Sequence, residues 1–200
     1  DRLESRHARD RRPRNRLRAA GVLAGRAAVS VPPRVAVLTV SDRSFRGERE
    51  DRGGPAVADA ARRLLGADVV EVRVVPDEKD DIAWNLARYA DNEHVDLVLT
   101  TGGTGLSPRD VTPEATRSVV AFEVPGLPEA MRAAGRAALP SAMLSRQVAG
   151  VRGKTLVVNL PGSPRGAVEC LEAVAAALPH AVAMLRGEAP DAHPARTDRA

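Results

Sequence analysis

Four short polar stretches of this chain combine glycine, carboxylate, hydroxyl and arginine: Ser41-Asp42-Arg43, Asp77-Glu78, Gly102-Gly103-Thr104-Gly105 followed by Arg109-Asp110, and Pro161-Gly162-Ser163-Pro164-Arg165. Three glycines within four residues let the backbone take positive φ and let a ligand approach the main chain. Successive N–H groups in such a turn hold anionic oxygens. Asp77 and Asp110 offer oxygen ligands to Mg2+, which keeps waters and bridges substrate phosphates. Ser163 and Arg165 at a helix start suit an anionic group. The chemistry these types suggest is phosphate handling beside a metal ion. Each stretch also has a plainer reading. The glycines can form a tight strand-to-helix connection, Asp77 can cap the next helix, Asp110 can pair with Arg109 or cap a helix at Thr112, and Ser163 can be an N-cap.

Generic nucleotide motifs are excluded. Gly103 and Gly105 lack the third glycine of a dinucleotide fingerprint. Gly153-Lys154-Thr155 resembles the end of a phosphate-binding loop, but Val148 stands where its first glycine belongs and the segment precedes a strand. A single cysteine, Cys170, excludes an internal disulfide and paired-cysteine metal sites, and it reads as a small core residue. His7, His94, His180 and His193 are scattered and form no metal set.

The net charge of +4 is unevenly distributed. Residues 1–18 hold eight arginines against three acidic residues, so the rest of the chain is slightly acidic. Base stacking needs aromatic side chains, and Phe45, Trp84, Tyr89 and Phe122 are all there are. No nucleic-acid partner is expected. No apolar run approaches the length of a membrane span, so neither a membrane nor a secretory setting is expected, and a soluble cytoplasmic protein is.

These stretches must be positioned by regular elements. Residues 1–33 mix charge with small residues and end at Pro32-Pro33, which predicts a disordered basic extension. The domain is expected over residues 34–187, with a flexible tail over 188–200. Arg34–Val40 is an unbroken apolar run suited to a strand buried on both faces. Ser41–Gly54 reads as a loop, followed by a helix from Pro55 whose face carries Val57, Ala60, Ala61, Leu64 and Leu65. Asp68–Val75 alternates as an edge strand does. A helix from about Asp80 leads to a third strand ending at Thr101, and another helix restarts at Thr112, with Pro113 in its first turn. An alanine-rich helix is expected from Pro128, and Ser141–Lys154 carries no clear period. Thr155–Leu160 is a further buried strand, followed by a helical region reaching Arg186. Strands alternating with helices indicate an α/β three-layer sandwich with a mostly parallel sheet. In such sheets ligands bind beyond the carboxyl ends of the strands, where all four polar stretches fall.

The combined motifs resemble the MogA/MoaB family, to which the gephyrin G domain is similar. They are TVSDR at Thr39–Arg43, Gly47 with Asp51 and Gly53, VPDE at Val75–Glu78, TTGGTGLSPRDVTPEAT at Thr100–Thr116, and LSRQVAGVRGKTLVVNLPGSPRGAVECL at Leu144–Leu171. RDVTPEAT is closer to the MogA branch. The resemblance implies a molybdopterin-binding α/β fold, a homotrimer, and a role in molybdenum cofactor biosynthesis. It implies Mg-ATP-dependent adenylylation of molybdopterin with release of pyrophosphate, and a molybdenum insertase as downstream partner. A carrier of molybdopterin without turnover is the alternative. By the same resemblance the catalytic aspartates, which would also be the Mg2+ ligands, fall on Asp77 and Asp110. Substrate and nucleotide contacts fall on Ser41, Asp42, Arg43, Gly102, Gly103, Thr104, Gly105, Arg109, Pro161, Gly162, Ser163 and Arg165. Arg165 stands where many relatives carry lysine, and a planar fork binds phosphate differently from a point charge.

Overall fold

The computed structural model of the chain describes residues 31–188, the side chains of residues 137 and 138 excepted. The expected extension, for residues 1–30, and the expected tail, for residues 189–200, lie outside the described residues. Six strands form one sheet: β1 (Arg34–Val40), β2 (Asp68–Val75), β3 (Leu97–Thr101), β4 (Phe122–Glu123), β5 (Ala149–Arg152) and β6 (Thr155–Leu160), in the order β2-β1-β3-β6-β5-β4. The helices are α1 (Asp42–Phe45), α2 (Gly53–Leu65), α3 (Lys79–Asp91), α4 (Thr112–Val119), α5 (Gly126–Ala138), α6 (Pro164–Val174) and α7 (Leu178–Arg186).

Strands β1, β3 and β6 lie at the centre because their side chains are apolar on both faces, and every residue of β3 and β6 is buried. On one face Val35, Val37, Leu97, Leu99 and Val158 pack with Val57, Met131, Leu171 and Leu178 from α2, α5, α6 and α7. On the other, Ala36, Leu38, Val98 and Val157 meet Ile82, Leu86 and Tyr89 of α3 and Ala115 of α4. This is the three-layer sandwich, and the alternating β2 is its edge.

The antiparallel end of the sheet comes from Ser141–Lys154, which carries no clear period, and from Phe122–Glu123, expected to be loop. Strand β5 pairs with β6 through a two-residue hairpin, in which Gly153 has φ of 56°. Glycine is suited to that first turn position. Strand β4 is only two residues long and pairs with β5. Neither is long enough to show a period. Three further details differ from expectation. Helix α2 begins at Gly53, two residues before Pro55. The Ser41–Gly54 loop contains the single-turn α1, capped by Ser41 Oγ, which accepts from the Ser44 amide at 3.2 Å. Helix α5 begins at Gly126, two residues before Pro128.

Register brings the parallel strand ends side by side. Val40 is opposite Val75, Thr39 is opposite Thr101, and Thr101 is opposite Leu160. The loops following β1, β2, β3 and β6 therefore leave the same sheet edge together.

Candidate functional site

The glycine turn after β3 is wedged between two elements. Gly102 has φ of 107°, and a Cβ there would lie 2.2 Å from the Val40 carbonyl oxygen. Gly103 has φ of 61°, and its Cβ would lie 2.3 Å from Thr112 Oγ1. A side chain at Gly102 would have to move backbone and one at Gly103 would have to displace the Thr112 hydroxyl, and both glycines hold a positive φ that L residues rarely adopt. The Gly102 amide donates to the Leu160 carbonyl at 3.2 Å, and Thr112 Oγ1 donates to the Gly102 carbonyl at 2.9 Å. Gly162 packs against this turn, since its Cβ would stand 3.3 Å from Gly102 Cα. The loops following β1, β3 and β6 thus touch at the glycines.

The carboxylates approach the turn from separate loops. Asp77 Oδ1 would be 3.4 Å from a Cβ on Gly103, and Asp110 Oδ2 would be 2.9 Å from one on Gly105. Neither aspartate caps the helix after it. The Asp77 carboxylate turns back to accept from the Asp42 amide at 2.7 Å, and Asp110 Oδ2 accepts from the Ser107 amide at 2.8 Å. Burial pushes the Asp77 carboxyl up, helped by the charges of Asp42 and Asp110 and opposed by the Asp42 amide and Arg109. Asp42 is held below the usual carboxylate range, first by the Asp77 amide and also by Arg109.

Other expected residues sit differently. The Arg109 guanidinium, expected on phosphate, is engaged by Asp42 at 2.8 Å and Glu78 at 2.8 Å. Arg165 points along α6 to Glu169 at 2.7 Å with 87% of its side chain exposed, which places it outside the cluster. Ser163 is the N-cap of α6, its Oγ accepting from the Gly166 amide at 3.2 Å. The Arg43 side chain is exposed, and its carbonyl closes the loop by accepting from the Glu48 amide. Thr104 is buried, and Pro161 accepts through its carbonyl from Thr101 Oγ1 at 2.8 Å.

Two hollows adjoin the turn and share Gly103 and Gly162. The larger, about 560 Å3, has Met131, Leu139, Leu144 and Ser145 in its wall; the smaller, about 180 Å3, has Ser41, Thr101 and Asp77. Cys170, expected in the core, is half-buried and lines the larger cleft, and burial pushes its thiol up. The turn therefore divides a two-chambered site large enough for an organic ligand.

Residues 36–180 match the sequence model of a family described as a probable molybdopterin binding domain. The chain belongs to that family. A molybdopterin adenylyltransferase of Helicobacter pylori J99 is 44% identical over 154 residues, covering 76% of this chain and 88% of the relative. A molybdopterin adenylyltransferase of Escherichia coli K12 is 42% identical over 142 residues, 70% of this chain and 73% of the relative. The solved structure of the molybdopterin biosynthesis enzyme MoaB from Thermus thermophilus shares 54% identity with a TM-score of 0.72, covering 78% of this chain and 97% of that one.

In this member of the molybdopterin-binding-domain family, the segment before β5 contributes to the site although residue reading assigned it nothing. The Arg146 amide donates to the Thr104 carbonyl at 2.9 Å, and its guanidinium donates to the Gly105 carbonyl at 2.7 Å and also to the Asp110 carbonyl and Glu114. Ser145 Oγ is buried in the cleft wall without a hydrogen-bond partner among the described residues. A polar Ser-Arg-Gln run just ahead of a buried strand was the available signal, since buried polar groups are there to bond something.

Proposed function

We propose that this chain is a molybdopterin adenylyltransferase of molybdenum cofactor biosynthesis, transferring AMP from ATP to the terminal phosphate of molybdopterin. A phosphate oxygen of molybdopterin attacks the α-phosphorus of ATP, the bond to the β-phosphate breaks, and pyrophosphate leaves. The observation that carries this reading is a glycine turn between two chambers with a carboxylate from a different loop on either side, Asp77 beside Gly103 in the smaller and Asp110 beside Gly105 in the larger. Two substrates that react through their phosphates need that arrangement: a body on either side and anion-binding amides where they meet.

The carboxylates fit Mg2+. The Asp42 amide occupies Oδ2 of Asp77 and the Ser107 amide occupies Oδ2 of Asp110, which leaves the other oxygen of each for a cation. Among the described residues no cluster of three or more His, Cys, Asp or Glu side chains forms a metal cage. Two carboxylates suit an ion that takes its remaining ligands from water and phosphate. When bound, Mg2+ supplies charge neutralisation and orientation of the phosphates. The turn amides hold phosphate oxygens, Arg146 fixes the loop bearing Asp110, and the apolar wall of the larger cleft excludes water. Most of the rate comes from positioning and electrostatics.

The family resemblance adds a homotrimer, a cytoplasmic setting and a molybdenum insertase that takes the product. Among the described residues no single helix is long and apolar enough to cross a membrane. The test uses the full chain with ATP, Mg2+ and molybdopterin, read by mass spectrometry for adenylyl-molybdopterin and by pyrophosphate release. Equal amounts of both products, formed only when molybdopterin is present, are expected. Tight molybdopterin binding with neither product would make the protein a carrier.

A further inference from the structure

We propose that Asp42 is a positioning residue that orients Asp77, with Arg109 as its anchor, and that neither Asp42 nor Arg109 is a ligand of substrate phosphate. This rests on the reading of Asp77 as a catalytic carboxylate. The two aspartates form a reciprocal pair: the Asp42 amide donates to Asp77 Oδ2 at 2.7 Å, and the Asp77 amide donates to Asp42 Oδ1 at 3.0 Å. The pair is possible because Val40 and Val75 are opposite each other in register, so the second residues beyond both strands face one another. With Oδ2 taken, Oδ1 of Asp77 is the oxygen turned toward Gly103.

Arg109 completes the arrangement from the third loop. Its Nη2 donates to both Asp42 oxygens, at 3.0 and 2.8 Å, and its Nε donates to Oδ2 at 3.2 Å. Its Nη1 donates to Glu78 at 2.8 Å. Both Asp42 oxygens are therefore occupied, and its charge has the wrong sign for a phosphate ligand. Bidentate pairing fixes direction as well as charge. The Asp42 side chain thus holds the Asp77 backbone while the Asp42 amide holds the Asp77 carboxylate, and partners that orient a functional carboxylate typically contribute about 10–100-fold to metal affinity or activity.

The test uses the full chain with Asp42→Ala, Asp42→Asn, Asp77→Ala and the Asp42→Ala/Asp77→Ala double variant. Four quantities are measured: kcat for pyrophosphate release, KM for ATP, molybdopterin Kd, and Mn2+ affinity without substrates by electron paramagnetic resonance. Thermal melts establish that each variant is folded. Asp42→Ala is expected to lower kcat and Mn2+ affinity by about 10–100-fold, leaving KM and Kd unchanged. Asp42→Asn, which keeps an acceptor for the Asp77 amide, recovers part of both. The double variant is no worse than Asp77→Ala, because residues that act through one another are not additive. A raised KM with kcat retained would make Asp42 a substrate ligand and overturn the inference. So would losses that multiply in the double variant, or wild-type behaviour of both Asp42 variants while Asp77→Ala is inactive. Full activity of Asp77→Ala would overturn this inference together with the reading beneath it.

Discussion

Asp77 carries a cost that its position imposes. Burial raises its pKa in the folded chain, so keeping it ionised at neutral pH costs stability. The sign follows from linkage: a carboxyl with a raised folded pKa favours the folded state at low pH, and that contribution is lost as pH rises through the folded value. Asp77→Asn should therefore be inactive yet melt at a higher temperature than the wild type at pH 7 in the absence of metal. The gain should disappear below the carboxylate range. A lower melting temperature at pH 7 would contradict this account. The carboxylates were legible in the sequence as acids in loops beyond strands. The contacts around Asp77 were not, because Asp42 is 35 residues from it and Arg109 is 67 residues from Asp42, and only register brings them together.

Asn159 is the buried amide of β6, whose other polar residue is Thr155, and it joins three elements. It is fully buried, its Nδ2 donates to Thr100 Oγ1 at 3.0 Å and Thr116 Oγ1 at 2.9 Å, and its Oδ1 accepts from the Val148 amide at 3.2 Å. This ties β6 to β3, to α4 and to the residue before β5. Asn159→Leu leaves those groups buried without partners, and each such group costs about 1–3 kcal/mol. Urea unfolding should show a loss of at least about 2 kcal/mol, and a loss below about 0.5 kcal/mol, the range of ordinary surface changes, would contradict the assignment. The central strands β1, β3 and β6 were legible because burial on both faces demands continuous apolar runs. Strands β4 and β5 were not, because two and four residues carry no period, and the place of β5 depends on pairing with β6 and that of β4 on pairing with β5.

At the scale of the molecule, the parallel half of the sheet presents the candidate site. Its strand ends align, so loops far apart in the chain meet at one glycine turn, as the 60-residue separation of Thr101 and Pro161 shows. Which loops would converge was readable from strand order and the rule for open α/β sheets. The two-chambered shape was not, because its larger wall comes from α5 and the segment before β5, where the residue types alone show no clear period and suggest no chemistry. The central claim is that the fold unites Asp77 and Asp110 for AMP transfer. The most direct test is the single-turnover rate of adenylyl transfer in Asp77→Ala and Asp110→Ala against the wild type, with molybdopterin bound in each. The account predicts that each variant binds molybdopterin normally and loses about 10²–10³-fold in rate, the effect of removing one preorganised electrostatic group. A full rate in either variant with molybdopterin bound normally would contradict it.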